Sequence, residues 1–395
     1  MTFICDGPLR AMPMAQSPKN GWTKVRQIAL LVLGVGTVGG EVVRQTLVHR
    51  AQWHDRLGLD VVVGGVAGRA GALVADDASG MPDDRLGDMV AARQQSGTFA
   101  GALGGADRLI PVATAIDQLA GRGGLVVVDA AAGEDTTAFD ARALERGASV
   151  VLSNKAPLAL PRADPRSAAL WAEAGPGGRV RYEATCGAGL PVISTLRALL
   201  DTGDEPLEIA GALSGTMGAI FSDVAAGHRF SAAVREAKAR GYTEPDPRDD
   251  LSGLDVARKA LILARTMGRA IDLADVSVQS LVPDALADVT VPEFLDGIRS
   301  EDESIAALAG SARDEDAALK YVATVPSDGG VVVGLRQVPK ATVLGALQGP
   351  ENIVSMRTRR YDAYPCVVSG PGAGAVVTAA GMLADVLALV GRRER

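Results

Sequence analysis

Three cysteines in 395 residues, Cys5, Cys186 and Cys366, are too few and too scattered to hold a disulfide framework. They point to a reducing, cytoplasmic setting. The three histidines, His49, His54 and His228, have no metal-ligand spacing with those cysteines, which argues against a structural zinc. Long apolar runs are missing too: glycine, proline or charge interrupts each one before it could cross a bilayer. Residues 1–23 carry Asp6 and three prolines and no apolar stretch of signal-peptide length, so they read as a flexible extension, not a targeting segment. Formal net charge is −7, and no basic cluster is long enough to grip a phosphate backbone. Nucleic acid and membrane are therefore not expected partners. Aromatics are scarce at 4%, whereas glycine is plentiful at 47 residues and 47% of the chain is hydrophobic. That balance fits a glycine-punctuated α/β enzyme of two or three domains.

The first apolar run, Gln27 to Leu33, is continuous, as expected of a parallel strand buried on both faces. It leads into Gly34-Val35-Gly36-Thr37-Val38-Gly39-Gly40 and then a helical stretch to about Trp53. Strand, glycine loop and helix in that order give the G-x-G-x-x-G pattern its meaning as a dinucleotide site. Gly34 allows the tight turn, Gly36 the approach of a pyrophosphate, and Gly39 the helix–strand contact. Thr37 and Val38 open the helix whose amide donors and dipole favour phosphate. Further strands are expected at Leu59–Ala67, ending near Ile110 and Asp129, and at 148–152. The second strand ends Val66-Ala67-Gly68-Arg69-Ala70, without the acid that reads the ribose of NAD. Arg69 there favours NADP, with NAD as the weaker alternative. Lys155 follows the strand ending at Leu152, at the carboxyl end where ligands of open α/β sheets bind. A surface lysine in a loop would look the same.

Five carboxylates fall within the twelve residues 244–255, interrupted by Pro245 and Pro247. This composition predicts a tight loop, followed by a helix capped by Ser252 with Asp255 completing a capping box and Gly268 closing it. Asp255 and Lys259 share one face of that helix. With Arg258, Arg265 and Thr266 they form a polar stripe opposite Leu254, Ala257, Leu261 and Ala264, which a solvated amphipathic helix would also show. Upstream, the glycine-rich stretch around Glu183 offers backbone carbonyls and a carboxylate, a plausible set for a hard cation, or simply a connection into the helix from Pro191 to Leu200. Downstream, Ala318–Val325 and Gly330–Val338 read as antiparallel strands around Pro326-Ser327-Asp328-Gly329-Gly330. Gly374 opens a last helix, Val376 to Val390, whose N-terminus is available to the cofactor.

The run from Ala237 to Lys259 resembles the signature segment of homoserine dehydrogenases. It matches at Ala237, Gly241, Tyr242, Thr243, Asp246, Pro247, Asp250, Leu251, Gly253, Asp255 and Lys259. The resemblance spans about residue 25 to the end and reads as the short form, without the regulatory domain that many bacterial relatives append. It implies an α/β fold: a Rossmann-type doubly wound nucleotide-binding domain, 24–180 completed by 371–395, with an inserted α+β catalytic domain, 181–370. The latter includes a dimerisation sheet at about 318–370, hence a homodimer.

The activity implied is the NAD(P)-dependent interconversion of L-aspartate 4-semialdehyde and L-homoserine. Lys259 and Lys155 would be catalytic with Asp255 orienting Lys259, while Glu244, Asp250, Gly215, Thr216 and Tyr242 would bind the small-molecule substrate. The resemblance further implies a sodium ion held by Glu183 and the carbonyls of Cys186, Ala188 and Leu190. This chain departs from the family at Gly218 and Ala219, where an Asn and an aromatic are usual. Two rivals follow: a paralogue acting on a different amino acid semialdehyde, and a non-catalytic NADPH-binding sensor.

Overall fold

The computed structural model describes residues 25–96 and 109–391; the expected flexible extension, 1–23, lies outside the described residues. The chain divides into two units, one formed by Met1–Pro157, Pro165–Tyr182 and Thr378–Arg395, the other by Leu158–Asp164 and Glu183–Val377.

The first unit is built on a six-stranded sheet comprising β1 (Arg26–Leu33), β2 (Leu59–Gly68), β3 (Gly71–Val74), β4 (Leu125–Asp129), β5 (Ser149–Leu152) and β6 (Val180–Arg181). Its order is β3-β2-β1-β4-β5-β6, parallel throughout except for β3. Ile28, Leu30, Leu31 and Val32 of β1 have no solvent exposure, which is why that strand lacks polar alternation. The Thr37–Leu57 helix connects β1 to β2 and the Thr137–Glu145 helix connects β4 to β5. Strand order reverses at β1, so Leu33 lies between Ala67 of β2 and Asp129 of β4. A crevice beyond the carboxyl ends of the strands is expected at such a reversal.

One expectation needs correction here. The strand expected to end near Ile110 is a single bridge from Ile110 to Ala72. The true third strand is β3, which turns back on β2 through Arg69 and Ala70. After β3 the Asp83–Ser96 helix follows, introduced by two acids in its first turn.

The second unit carries β7 (Pro206–Ala212), β8 (Val276–Val278), β9 (Ala317–Pro326), β10 (Val331–Pro339), β11 (Glu351–Thr358) and β12 (Cys366–Pro371) in the order β12-β11-β7-β9-β10-β8. Pairing is antiparallel except between β10 and β8. The β9–β10 hairpin forms as the Pro-Ser-Asp-Gly-Gly signal predicts, with Gly329 at φ 78°. The helices Gly215–Ala225, Leu254–Thr266 and Asp302–Asp314 pack on β9, which is buried along most of its length.

The Leu254–Thr266 helix departs from the expected amphipathic pattern. Lys259 and Arg265 on the supposed solvated stripe are each only 8% exposed, whereas Leu254 on the opposite side is 40% exposed. Arg265 is buried because its guanidinium donates to the carbonyls of Leu158, Leu160 and Ile271 and to Asp272. The cap also differs. The acidic loop contains its own short helix, Pro247–Leu251, capped by the Asp246 side chain, and Ser252 is its C-cap. Gly253, at φ 73°, precedes the longer helix with no side-chain cap, so the Ser252–Asp255 capping box does not form. No side chain fits at Gly253, because a Cβ would stand 2.0 Å from the Tyr321 hydroxyl.

Candidate active site

Within the first unit, Gly34 leaves β1 at φ 82°, and a Cβ there would lie 2.8 Å from the Cα of Ala131. A Cβ on Gly39 would stand 2.0 Å from the Gly34 carbonyl oxygen, so helix and loop meet with no side chain between them. Gly36 has open space on its side-chain face. It is also the extended N-cap of the Thr37–Leu57 helix, with no side chain capping the first turn and no acid in it. The amides of Thr37 and Val38 therefore belong to an uncapped helix start, a favourable place for an anion.

At the carboxyl end of β4, Asp129 is fully buried and gathers the surrounding loops. Its carboxylate accepts from the Ala131 amide at 2.9 Å, the Thr136 hydroxyl at 2.7 Å and the Asn154 amide nitrogen at 3.0 Å. The Asn154 side chain in turn donates to the Gly133 carbonyl at 2.8 Å and accepts from the Ala156 amide at 3.1 Å. Lys155, half-buried, sits between these two anchored positions.

The second unit holds the carboxylates and the other lysine. Lys259 Nζ donates to the Leu213 carbonyl at 2.7 Å and lies 2.8 Å from Asp255 Oδ2. Leu213 ends the segment after β7, and Ser214 caps the Gly215–Ala225 helix by accepting from the Met217 amide. The hydroxyl of Thr216, in the first turn of that helix, shares its one proton between Asp250 Oδ1 at 2.8 Å and the Tyr242 carbonyl at 2.6 Å. The other Asp250 oxygen accepts from the Glu244 amide at 2.8 Å. Lys259, Asp255, Thr216, Asp250 and the Tyr242–Glu244 backbone are thus drawn together from three segments. The Glu244 side chain is exposed. Burial, opposed by the Glu244 amide and the Thr216 hydroxyl, leaves the Asp250 carboxyl above its ordinary value, with repulsion from Asp255 adding to the rise.

The 242–250 loop is fixed from outside. Arg248 pairs with Asp246 at 2.7 Å, donates to the carbonyls of Leu286, Ala287 and Val289, and stacks over Phe294 at 5.5 Å.

Glu183 heads the glycine-rich turn before the Val192–Asp201 helix. One of its oxygens accepts from the Ile193 amide at 2.6 Å and the other from the Ser194 amide at 2.9 Å, so the side chain terminates that helix. The turn then passes through Ala188 at φ 55°. Cys186 Sγ lies 3.7 Å from the Lys259 carbonyl oxygen, joining this turn to the lysine helix. Gly374, at φ 121°, immediately precedes the Ala375–Gly391 helix.

Residues 191–387 match the family described as homoserine dehydrogenase. A homoserine dehydrogenase of Saccharomyces cerevisiae is 38% identical over 275 residues, 68% of this chain and 76% of the yeast protein. The chain belongs to the homoserine dehydrogenase family. The chloroplastic bifunctional aspartokinase/homoserine dehydrogenase 2 of Arabidopsis thaliana is 48% identical over 210 residues, 53% of this chain. The match spans only 23% of that longer protein. A hyperthermophilic archaeal homoserine dehydrogenase solved with NADPH superposes with a TM-score of 0.69 at 20% identity, over 93% of this chain and 99% of that one. That likeness establishes the Rossmann-type α/β fold.

Two features of this homoserine dehydrogenase family member are not legible as site residues in the sequence. Asp140, an acid on the Thr137–Glu145 helix, is fully buried against Asp129. Gly218, noted only as a departure, proves to have no room for a side chain: a Cβ would stand 2.6 Å from the Gly349 carbonyl oxygen.

Proposed function

We propose that this protein is an NAD(P)-dependent homoserine dehydrogenase, interconverting L-aspartate 4-semialdehyde and L-homoserine. The observation that carries this reading is the Lys259–Asp255–Leu213 contact beside Thr216 and Asp250. An ammonium has three donors. The Leu213 carbonyl and Asp255 take two, which aims the third for delivery of a proton to the aldehyde oxygen. In the reverse direction the same group receives the alcohol proton. Asp250 and Glu244 take the substrate ammonium, Gly215, Thr216 and Tyr242 complete the substrate pocket, and the Thr216 hydroxyl also ties Asp250 to the Tyr242 carbonyl. Lys155 polarises the carbonyl oxygen. Holding both ends of the substrate supplies the positional advantage that hydride transfer needs.

The bound nicotinamide supplies or takes the hydride. Gly34, Gly36, Thr37, Val38 and Gly39 hold its pyrophosphate in this reading, Gly374 at the start of the last helix is a further cofactor-binding candidate, and Arg69 meets the 2′-phosphate of NADP. The first unit is thereby the nucleotide-binding domain, and the second the catalytic and dimerisation domain. Glu183 and the loop carbonyls of Cys186, Ala188 and Leu190 are all hard oxygen donors and fit a sodium ion. The cation would offset a buried carboxylate and steady the turn that touches the lysine helix. A second copy of the chain would cover β12 and its approach, where Tyr364 is 87% exposed and Tyr361 and Val367 are exposed too. The scattered cysteines support a cytoplasmic setting. Among the described residues no helix is long and apolar enough to cross a membrane.

Steady-state oxidation of L-homoserine, compared with the alcohols one methylene shorter and longer, tests the substrate. The reading expects homoserine to lead in kcat/KM. A preference for either neighbour would favour a paralogous dehydrogenase.

A further inference from the structure

Asp129 and Asp140 are two carboxyl groups in one closed space. Both have no solvent exposure, and they stand within hydrogen-bonding reach of each other. Their surroundings differ sharply. Asp129 accepts from a backbone amide, a hydroxyl and a side-chain amide. Neither oxygen of Asp140 has any hydrogen-bond partner of this kind. Three donors aimed at one group favour its charged form, while an unpartnered charge in a buried site is very costly. A neutral acid at Asp140 resolves both problems, because its O–H then has Asp129 to donate to.

We propose that Asp140 is carried as a carboxylic acid donating its proton to the Asp129 carboxylate, and that this pair is the positioning device for Asn154 and Lys155. One proton is shared by two carboxyl groups, and no other bond is made or broken. The link to Lys155 is short. Asp129 holds Asn154, Asn154 holds the Ala156 amide, and Lys155 lies between them. Burial and then the charge of Asp129 push the Asp140 carboxyl well up. Burial also raises Asp129, but its donors pull it back.

Three neighbouring arginines pair with other acids. Arg142 of the same helix and Arg146 just beyond it pair with Asp117 on the Val112–Ala120 helix, and Arg179 pairs with Glu173. Arg166 on the Pro165–Ala172 helix is half-buried. Asp129 is the charge that acts on Asp140.

The catalytic part of this inference rests on the proposed dehydrogenase activity; the proton does not. Infrared difference spectra between wild type and Asp140→Asn at neutral pH read the proton directly. A protonated-carboxyl C=O band is expected in wild type and lost in the variant. Asp140→Asn replaces the O–H donor with an N–H donor and should keep kcat within about threefold, whereas Asp140→Leu removes the donor and should lower kcat roughly 10- to 100-fold by displacing Lys155.

Linkage gives a third readout. With its folded value raised above the ordinary 3.8, Asp140 contributes stability at low pH that is lost as pH rises through the folded value. Asp140→Asn lacks that loss, so its melting temperature relative to wild type should climb with pH. Absence of the band in wild type, a flat melting difference, or Asp140→Asn as damaging as Asp140→Leu overturns the proposal. If no homoserine is oxidised at all, the infrared and melting data still decide where the proton sits.

Discussion

A Cβ placed on Gly218 would meet the carbonyl oxygen of Gly349 at 2.6 Å, so the loop before β11 is seated directly on the Gly215–Ala225 helix. The same loop is tied to that helix by the Gly349 amide donating to the Ser222 hydroxyl at 2.8 Å, which itself donates to the Gly218 carbonyl. Gly to Ala inside a helix ordinarily gains up to about 1 kcal/mol. Here the overlap is with backbone, which cannot swing away, and overpacking costs about 1–3 kcal/mol. Gly218→Ala should therefore destabilise the protein in urea unfolding, and Gly218→Asn more so. A gain in stability on Gly218→Ala would show that the loop is not held there.

Lys259→Ala should lower kcat by roughly 10²–10⁴, the usual range for a general acid–base group, with little change in cofactor affinity. Steady-state and cofactor-binding measurements on the folded variant check this. Near-normal turnover would remove Lys259 from the chemistry.

The acid limb of kcat/KM for homoserine should report Asp250. Its carboxyl is raised by burial above the ordinary 3.8, and only the charged form pairs with the substrate ammonium. Hence kcat/KM should fall as pH drops through that raised value. Thr216→Val removes a donor to the carboxylate and should move the limb to still higher pH. A limb that stays put in Thr216→Val would detach Asp250 from substrate binding.

Arg69 stands exposed in the turn between β2 and β3, with no acid among Gly68, Arg69, Ala70 and Gly71. Its guanidinium is suited to a 2′-phosphate by paired donors. Arg69→Ala should lower kcat/KM for NADP roughly tenfold or more and leave NAD little changed. An unchanged NADP/NAD ratio would mean that Arg69 does not read the phosphate.

What was legible in the chain was what local chemistry decides. A strand buried on both faces writes itself as an unbroken apolar run, so β1 and its glycine loop could be read directly, as could the β9–β10 hairpin from its turn residues. Gly268 closes its helix at φ 89°, as a C′ glycine should. The misses arose where two local signals competed or where distant chain decides. Ser252 looked like an N-cap, but Asp246 with Pro247 starts a helical turn earlier and leaves Ser252 at that turn's end. The β2–β3 turn has none of the Asn-Gly or Asp-Gly pairs that mark a hairpin. The burial of Arg265, on a stripe that a solvated helix would also show, is not legible because periodicity cannot foresee carbonyls arriving from Leu158 and Leu160. Asp140 was silent for the same reason: only the fold brings Asp129 to it.

The central claim is tested most directly by mixing purified protein with L-homoserine and NADP and following the absorbance of reduced nicotinamide. The account predicts a steady rise that depends on homoserine and nearly vanishes in Lys259→Ala. No rise with wild type, despite binding of NADPH seen by fluorescence, would contradict it and leave a nucleotide-binding sensor in place of a dehydrogenase.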